Sequence, residues 1–414
     1  MGKKLHVRSR VKKGVKVVRE EGVVALSIMA LQKVQKSQQK ASPTKKIKVS
    51  FLADYDDIAK ADWVGHPYLP KETTKNPPYT INWVMSPPGE GAGGGHQNIF
   101  RFIDFLVQKG HTCRVYLYSA HYFQEAKAAH AVFKKAYPDT TITVEWLKGP
   151  MKSADAVFAT GWETAYPVFN DPGTARKLYF VQDFEPYFYP VGSEYILAEN
   201  TYRMNFHGIT AGGWLAKKLH DEYGMPTDSY QFGSDNSLYT FSNKKPRKEV
   251  FFYARPVTTR RGFELGVMAL EIFHRLRPDY IITLAGWDVS DYHVPFPYQN
   301  LKTLSLPELS EVYNHCAAGL VISLTNMSLL PLELLSAGVI PVVTDGPNNV
   351  QVSNNPFIHY TQAEPSALAH ALVAIVDKKD LPQYAEQAAT SVHGLNWQQS
   401  GDQFEAILRS VLRG

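Results

Sequence analysis

Three groups of residues in this 414-residue chain combine side chains and spacing that suit chemistry on a polar, phosphorylated ligand. The segment SLTNMSLLPLELLSAG predicts a loop entering a short helix near Pro331, a residue type that fits a first helical turn. A helix start offers unpaired N–H groups and a positive dipole end, both suited to phosphate or a polar sugar. Glu333 falls in that turn; its carboxylate either accepts hydrogen bonds from ligand hydroxyls or only complements the helix dipole. In PPGEGAGGGHQNIF, Gly93, Gly94 and Gly95 precede His96 where a strand gives way to a helix. Glycines there let a backbone approach a ligand closely, although loops favour glycine in any case and no G-x-G-x-x-G fingerprint is present. In QDFEPYFYPVGSEY, Gln182, Asp183 and Glu185 follow an apolar run, with Tyr187, Phe188 and Tyr189 beside them. Carboxylates next to aromatic faces suit a sugar, while the bland role for Asp183 is to brace its own loop. Asp54 and Asp56 form a D-x-D, a pattern able to hold a divalent metal on a diphosphate, but it lies ahead of the glycine loop.

These residues sit at the ends of apolar runs that alternate with helical patterns. INWVM at 81–85, CRVYLYS at 113–119, ADAVFAT at 154–160 and KLYFVQ at 177–182 form one βα series. After a polar, basic stretch at 242–249, VFFYA at 250–254, YIITLAG at 280–286, GLVIS at 319–323 and VIPVVT at 339–344 form a second. Such alternation predicts parallel sheets covered by helices, here as two Rossmann-like units with a ligand cleft between them. The net charge of +5 is unevenly placed: residues 1–48 hold 14 Lys or Arg against Glu20 and Glu21, which leaves −7 on the rest. Apolar residues spaced through that basic leader predict an amphipathic helix or two, suited either to an anionic lipid surface or to packing on the protein. Cys113 and Cys316 are the only cysteines, which excludes a disulfide framework or a cysteine zinc site and fits a reducing compartment.

The segment PLELLSAGVIPVVTD resembles the donor-site signature of glycosyltransferase family 4 and its relatives. In those enzymes the matching glutamate hydrogen-bonds the nucleoside sugar, which implies that role for Glu333. The family's second glutamate, eight positions earlier, is Thr325 here, so the grip on the donor sugar is expected from the main chain at Asn326, Ser328, Leu329 and Leu330. FFYARPVTTRRG resembles the strand and loop that hold the donor diphosphate, which implies Arg255 and Arg261 as its ligands, with Arg260 able to exchange with Arg261. By the same comparison, Lys302 lies near the base or phosphate, and Gly94, Gly95 and His96 face the donor phosphates and the acceptor. Gln182 stands where many members have a histidine. The resemblance covers about residues 80–414 and is nearest to bacterial rhamnosyltransferases that build surface polysaccharides.

Charge sets apart a basic helical extension at 1–48, and the resemblance implies an α/β fold of the GT-B type after it: an acceptor domain at 49–241, a donor domain at 249–395 and a helix at 396–414 crossing back to the first domain. It implies a hexosyltransferase using dTDP-L-rhamnose without metal or other cofactor, retaining at the anomeric carbon, with Asp183 and Glu333 as catalytic residues. The acceptor or cleft residues are then Gly94, Gly95, His96, Gln182, Asp183, Glu185 and Tyr187. Expected partners are a lipid-linked glycan acceptor and an anionic membrane surface at residues 1–40, on the cytoplasmic face, and no nucleic acid. A nucleotide-sugar epimerase on the same fold and a carbohydrate-binding protein without turnover are the competing functions.

Overall fold

The computed structural model describes residues 51–72, 75–88, 94–120, 126–138 and 140–413; the basic extension and Gly93 lie outside them. The β-branched and aromatic runs form two wholly parallel sheets. The first contains β1 (Thr80–Met85), β2 (Thr112–Leu117), β3 (Thr143–Trp146), β4 (Ala156–Ala159), β5 (Arg176–Val181), β6 (His207–Ala211) and β7 (Thr227–Tyr230) in the order β3-β2-β1-β4-β5-β6-β7. The second contains β8 (Glu249–Tyr253), β9 (Ile281–Ala285), β10 (Gln299–Asn300), β11 (Cys316–Val321), β12 (Ile340–Thr344) and β13 (His359–Thr361) in the order β10-β9-β8-β11-β12-β13. Both wind outward from a central pair, β1/β4 and β8/β11, so strand order reverses there. Loops on either side of such a reversal part at the strands' C-terminal ends and leave a crevice.

Helices cover both faces, so the central strands are apolar throughout rather than alternating. Every residue of β4, β11 and β12 is buried. Register holds Trp83 between Val115 and Phe158, with its ring stacked 4.3 Å from that of Phe158. Helix α1 (Gly94–Gln108) follows β1, and α2 (Trp162–Asn170) follows β4. In the second sheet α3 (Phe263–Leu276) follows β8, α4 (Leu306–Tyr313) precedes β11, and α5 (Leu330–Ser336) separates β11 from β12.

The last helix, α6 (Trp397–Arg413), packs on the first sheet. Phe404 lies among Trp83, Phe102, Phe158, Phe180 and Tyr230. His111 Nδ1 accepts the Tyr79 N–H at 3.0 Å, so its Nε2 carries the proton and donates to Glu405 at 3.1 Å. Gly401 is required where α6 meets α1, because a Cβ there would stand 2.4 Å from the Phe105 ring. At the crossing between the sheets, Ser234 N–H donates to Leu395 O at 3.1 Å and the Ser234 and Ser336 hydroxyls meet at 2.6 Å. Buried Arg247 ties the linker down, donating to the carbonyls of Asn243, Cys316 and Ala337.

Candidate functional site

The β1, β4 and β5 ends of the first sheet face the β8 and β11 ends of the second, and contacts cross between them. The β5 end supplies Gln182, Asp183 and a 3-10 turn at Glu185–Phe188. The β8 end supplies Arg255 and a 3-10 turn at Thr259–Arg261. Gly262, at φ 52°, lets that turn fold against β11, since a Cβ would sit 2.7 Å from Ile322 Cγ2. The β11 end leads through Ser323 to Met327 into α5.

Two guanidinium groups, Arg260 and Arg261, act on the Asp183 carboxylate, and Arg255 lies near Arg261. Arg261 Nη1 donates to Ser323 Oγ at 2.9 Å, and Arg255 Nη1 to Tyr253 Oη at 3.4 Å. Arg260 Nε lies 3.6 Å from Asp183 Oδ2, and its guanidinium stacks 4.1 Å above the Phe188 ring. The Nε atoms of Arg255 and Arg260 are buried without a hydrogen-bond partner. Burial pulls Arg261 below the ordinary guanidinium range, and neighbouring Arg260 adds to the effect. A concentration of positive charge with unused donors is what a diphosphate needs.

Asp183 sits where the two lobes meet. Its Oδ1 accepts the Phe184 N–H at 2.8 Å, and its Oδ2 accepts the Thr325 hydroxyl at 2.9 Å. Burial pushes this carboxyl up, while Arg260, Arg261 and the Thr325 hydroxyl pull it down. Next to it, Asn326 Nδ2 donates to the carbonyls of Gln182 at 2.9 Å and Ala211 at 3.3 Å, leaving its buried Oδ1 unpartnered. Thr325 therefore stands opposite a carboxylate, where a hydroxyl donor fits and a glutamate would meet like charge.

Glu333 lies in the first turn of α5, which begins at Leu330 with Pro331 behind it. Its N–H donates to Leu329 O at 3.1 Å, and Tyr313 Oη donates to its Oε2 at 3.5 Å. Burial pushes its pKa up to about 7; the Tyr313 hydroxyl and the Arg101 charge oppose this, and Asp235 reinforces it. Arg101, on α1 of the opposite lobe, stacks 3.9 Å from the Trp397 ring. Ser328, Leu329 and Leu330 form the partly open approach to α5.

On the other lobe, Gly94 and Gly95 open α1 with exposed backbone, and Gln182 Nε2 donates to Gly95 O at 3.1 Å. His96 Nε2 donates to Ser86 O at 3.0 Å, and burial lowers its pKa, so the ring is neutral near pH 7. Tyr187 is 45% exposed and edges against Phe184.

Two expected site residues have partners of their own. Glu185 is turned into the lobe: its Oε2 accepts from Trp162 N at 2.5 Å and Tyr179 Oη at 3.3 Å, so its hydrogen bonds brace the wall rather than open into the cleft. Lys302 has a left-handed backbone, φ 56°, and its ammonium pairs with Asp288 at 3.0 Å; its carbonyl accepts from Gly286 N at 2.7 Å. Of the D-x-D aspartates, Asp54 caps the helix Tyr55–Lys60, its Oδ1 accepting the Asp56 N–H at 2.8 Å. Among the described residues, no group of three or more His, Cys, Asp or Glu is placed to hold a metal, and no helix is long and apolar enough to cross a membrane.

Sequence reasoning missed Glu163. It follows β4, bonds to the Ser86 hydroxyl, and is pushed up by burial; Glu185 beside it is pushed up by burial and by the Glu163 charge. The signal available was a glutamate in the first turn of the helix that follows an apolar strand, in GWET.

Solved structures align with almost their whole length on this arrangement. A glycosyltransferase from Rickettsia africae superposes with a TM-score of 0.59 at 14% identity, covering 81% of this chain and 99% of that one. HepE from Anabaena, solved in complex with UDP-glucose, gives 0.61 at 12% identity, covering 80% and 100%. The fold is GT-B. Residues 144–211 match the WsaF N-terminal domain and residues 248–373 the WsaF C-terminal domain. Over 288 residues, 65% of this chain, it is 33% identical to the O-antigen biosynthesis protein RfbC of Myxococcus xanthus, of which the match spans 22%. The WsaF C-terminal match takes in the arginine turn, Thr325, Asn326 and Glu333.

Proposed function

We propose that this chain is a glycosyltransferase of polysaccharide biosynthesis that moves a hexose from a nucleotide-sugar to a glycan acceptor. The observation that carries this reading is the convergence of Arg255, Arg260 and Arg261, with unused buried donors, on the same strand ends that lead to Glu333. Arginine forks and the start of α5 suit a diphosphate, and a buried glutamate with retained proton affinity suits ribose hydroxyls. Arg255 and Arg261 hold the diphosphate, Glu333 the ribose, and the main chain from Asn326 to Leu330 the sugar. Lys302 borders the base, released from Asp288 when a ligand competes for it. The sugar is L-rhamnose from dTDP-L-rhamnose, the donor that the resemblance in the PLELLSAGVIPVVTD motif implies.

Transfer proceeds without metal and with retention. The anomeric bond to phosphate breaks with its electron pair leaving on the diphosphate, held by arginines. The acceptor oxygen bonds to the oxocarbenium-like carbon, and the departing phosphate takes the acceptor proton. Asp183, Gly94, Gly95, His96 and Tyr187 line the acceptor side. The acceptor is lipid-linked, and the basic extension meets an anionic membrane surface on the cytoplasmic face. Incubation with dTDP-L-rhamnose and a rhamnose-terminated lipid-linked acceptor tests this: mass spectrometry is expected to show the acceptor heavier by one deoxyhexose, with equimolar dTDP. Conversion of the donor without any acceptor would instead indicate an epimerase, and no reaction with any nucleotide-sugar would indicate a binding protein.

A further inference from the structure

Arg260 touches both lobes. Its main chain belongs to the donor lobe, where its carbonyl accepts the Leu324 N–H at 3.2 Å. Its side chain reaches the acceptor lobe, 3.6 Å from Asp183 Oδ2 and 4.1 Å over Phe188. Asp183 in turn accepts the Thr325 hydroxyl. The acceptor-lobe carboxylate therefore occupies the position next to Arg260 that an anionic ligand would contest. The pairing is incomplete, because Arg260 Nε is buried yet makes no hydrogen bond, and the one carboxylate faces the positive charge of both Arg260 and Arg261.

We propose that Arg260 is a positioning residue shared between two anions: it holds Asp183 when the cleft is empty and moves to the donor diphosphate when the cleft fills. The exchange rests on the reading of the site as one for a nucleoside diphosphate. A diphosphate carries more charge than a carboxylate and offers paired oxygens to the guanidinium fork, so it wins the competition at a cost in apparent affinity. Its arrival releases Asp183 from Arg260, and the freed carboxylate can then accept a hydrogen bond from the acceptor hydroxyl. Donor binding thereby prepares the acceptor side, and acceptor binding before donor is disfavoured. Thr325 belongs to the same device, since its hydroxyl steadies Asp183 without adding charge beside the diphosphate.

The test is a double-mutant cycle on nucleotide binding, read by titration calorimetry with dTDP and separately with UDP. Asp183→Asn removes the internal competitor, and about fivefold to tenfold tighter binding is expected. Arg260→Met removes a ligand of the diphosphate, and about tenfold weaker binding is expected. In the Arg260→Met background the gain from Asp183→Asn should vanish, because the competition acts through Arg260. Simple charge repulsion between Asp183 and the diphosphate predicts instead that the gain persists in that background; this result, or an Asp183→Asn variant that binds no tighter than wild type, overturns the proposal. Thermal unfolding checks that each variant folds, and Asp183→Ala repeats the cycle should Asp183→Asn not fold. Wild-type protein that binds neither dTDP nor UDP would overturn the nucleotide-sugar reading itself; binding with an additive cycle overturns only the exchange.

Discussion

Replacing Glu333 by glutamine should stabilise the protein while weakening its ligand, and the sign depends on pH. The carboxyl's ordinary value of 4.5 is pushed up to about 7 by burial, so the folded state holds a proton that the unfolded chain has lost between those limits. Stability attributable to this group is unchanged below pH 4.5, falls as pH rises through the window, and levels off above pH 7. The displacement corresponds to about 3 kcal/mol at roughly 1.4 kcal/mol per pH unit. Partial access to solvent screens the charge, so a cost on the order of 1–2 kcal/mol is the working figure. Glutamine keeps the shape and carries no charge, so Glu333→Gln should match wild type near pH 4.5 and unfold a few degrees higher at pH 8. Differential scanning calorimetry across that range measures both limits. The variant should also bind dTDP about tenfold to a hundredfold more weakly, having lost a charge-assisted hydrogen bond. Equal or lower stability of the variant at pH 8 would refute the reasoning, because burial would then not be penalising the charged form.

Arg261→Met should weaken dTDP binding at least about tenfold in calorimetry, with a small change in Tm, since its side-chain hydrogen bond is to Ser323 and Asp183 keeps Arg260 beside it. Arg247→Met should lower stability by about 3 kcal/mol or more in urea unfolding, because the carbonyls of Asn243, Cys316 and Ala337 lose a buried charged donor. Gly401→Ala should destabilise by about 1–3 kcal/mol, as its methyl must displace the Phe105 ring or lift α6. Excess EDTA should leave the transfer rate unchanged in a product assay.

The central strands were legible because a strand covered on both faces must be apolar along its length. INWVM, ADAVFAT, KLYFVQ, VFFYA and VIPVVT satisfy that condition and all became strands. The edge strands did not announce themselves: β3 is four residues with no buried side chain, and β10 is a two-residue Gln-Asn pair. In the site, residues carried by one motif were readable as a group, Glu333 within PLELL and the arginines within ARPVTTRRG. Pairings across the cleft were not, because Thr325 meets Asp183 from 142 positions away and nothing local in either segment specifies the other. Non-local pairing also explains Glu185, whose aromatic setting suits a sugar but whose carboxylate is claimed by the Trp162 amide, 23 positions away. Glu163 escaped because a glutamate opening a helix is ordinary dipole chemistry, and only the fold sets it beside Ser86 and Glu185.

If the arginine turn and Glu333 together form a nucleotide-sugar site, ligand and fold stability are linked through both. The most direct measurement is thermal unfolding of the wild type, Arg261→Met and Glu333→Gln with and without saturating dTDP-L-rhamnose, at a pH above 7. Ligand bound only by the folded state at about a hundred times its Kd adds roughly 2.7 kcal/mol, so a clear rise in Tm is predicted for wild type and a much smaller one for each variant. Equal rises in all three proteins, or none in wild type with either dTDP- or UDP-sugars, would contradict the account.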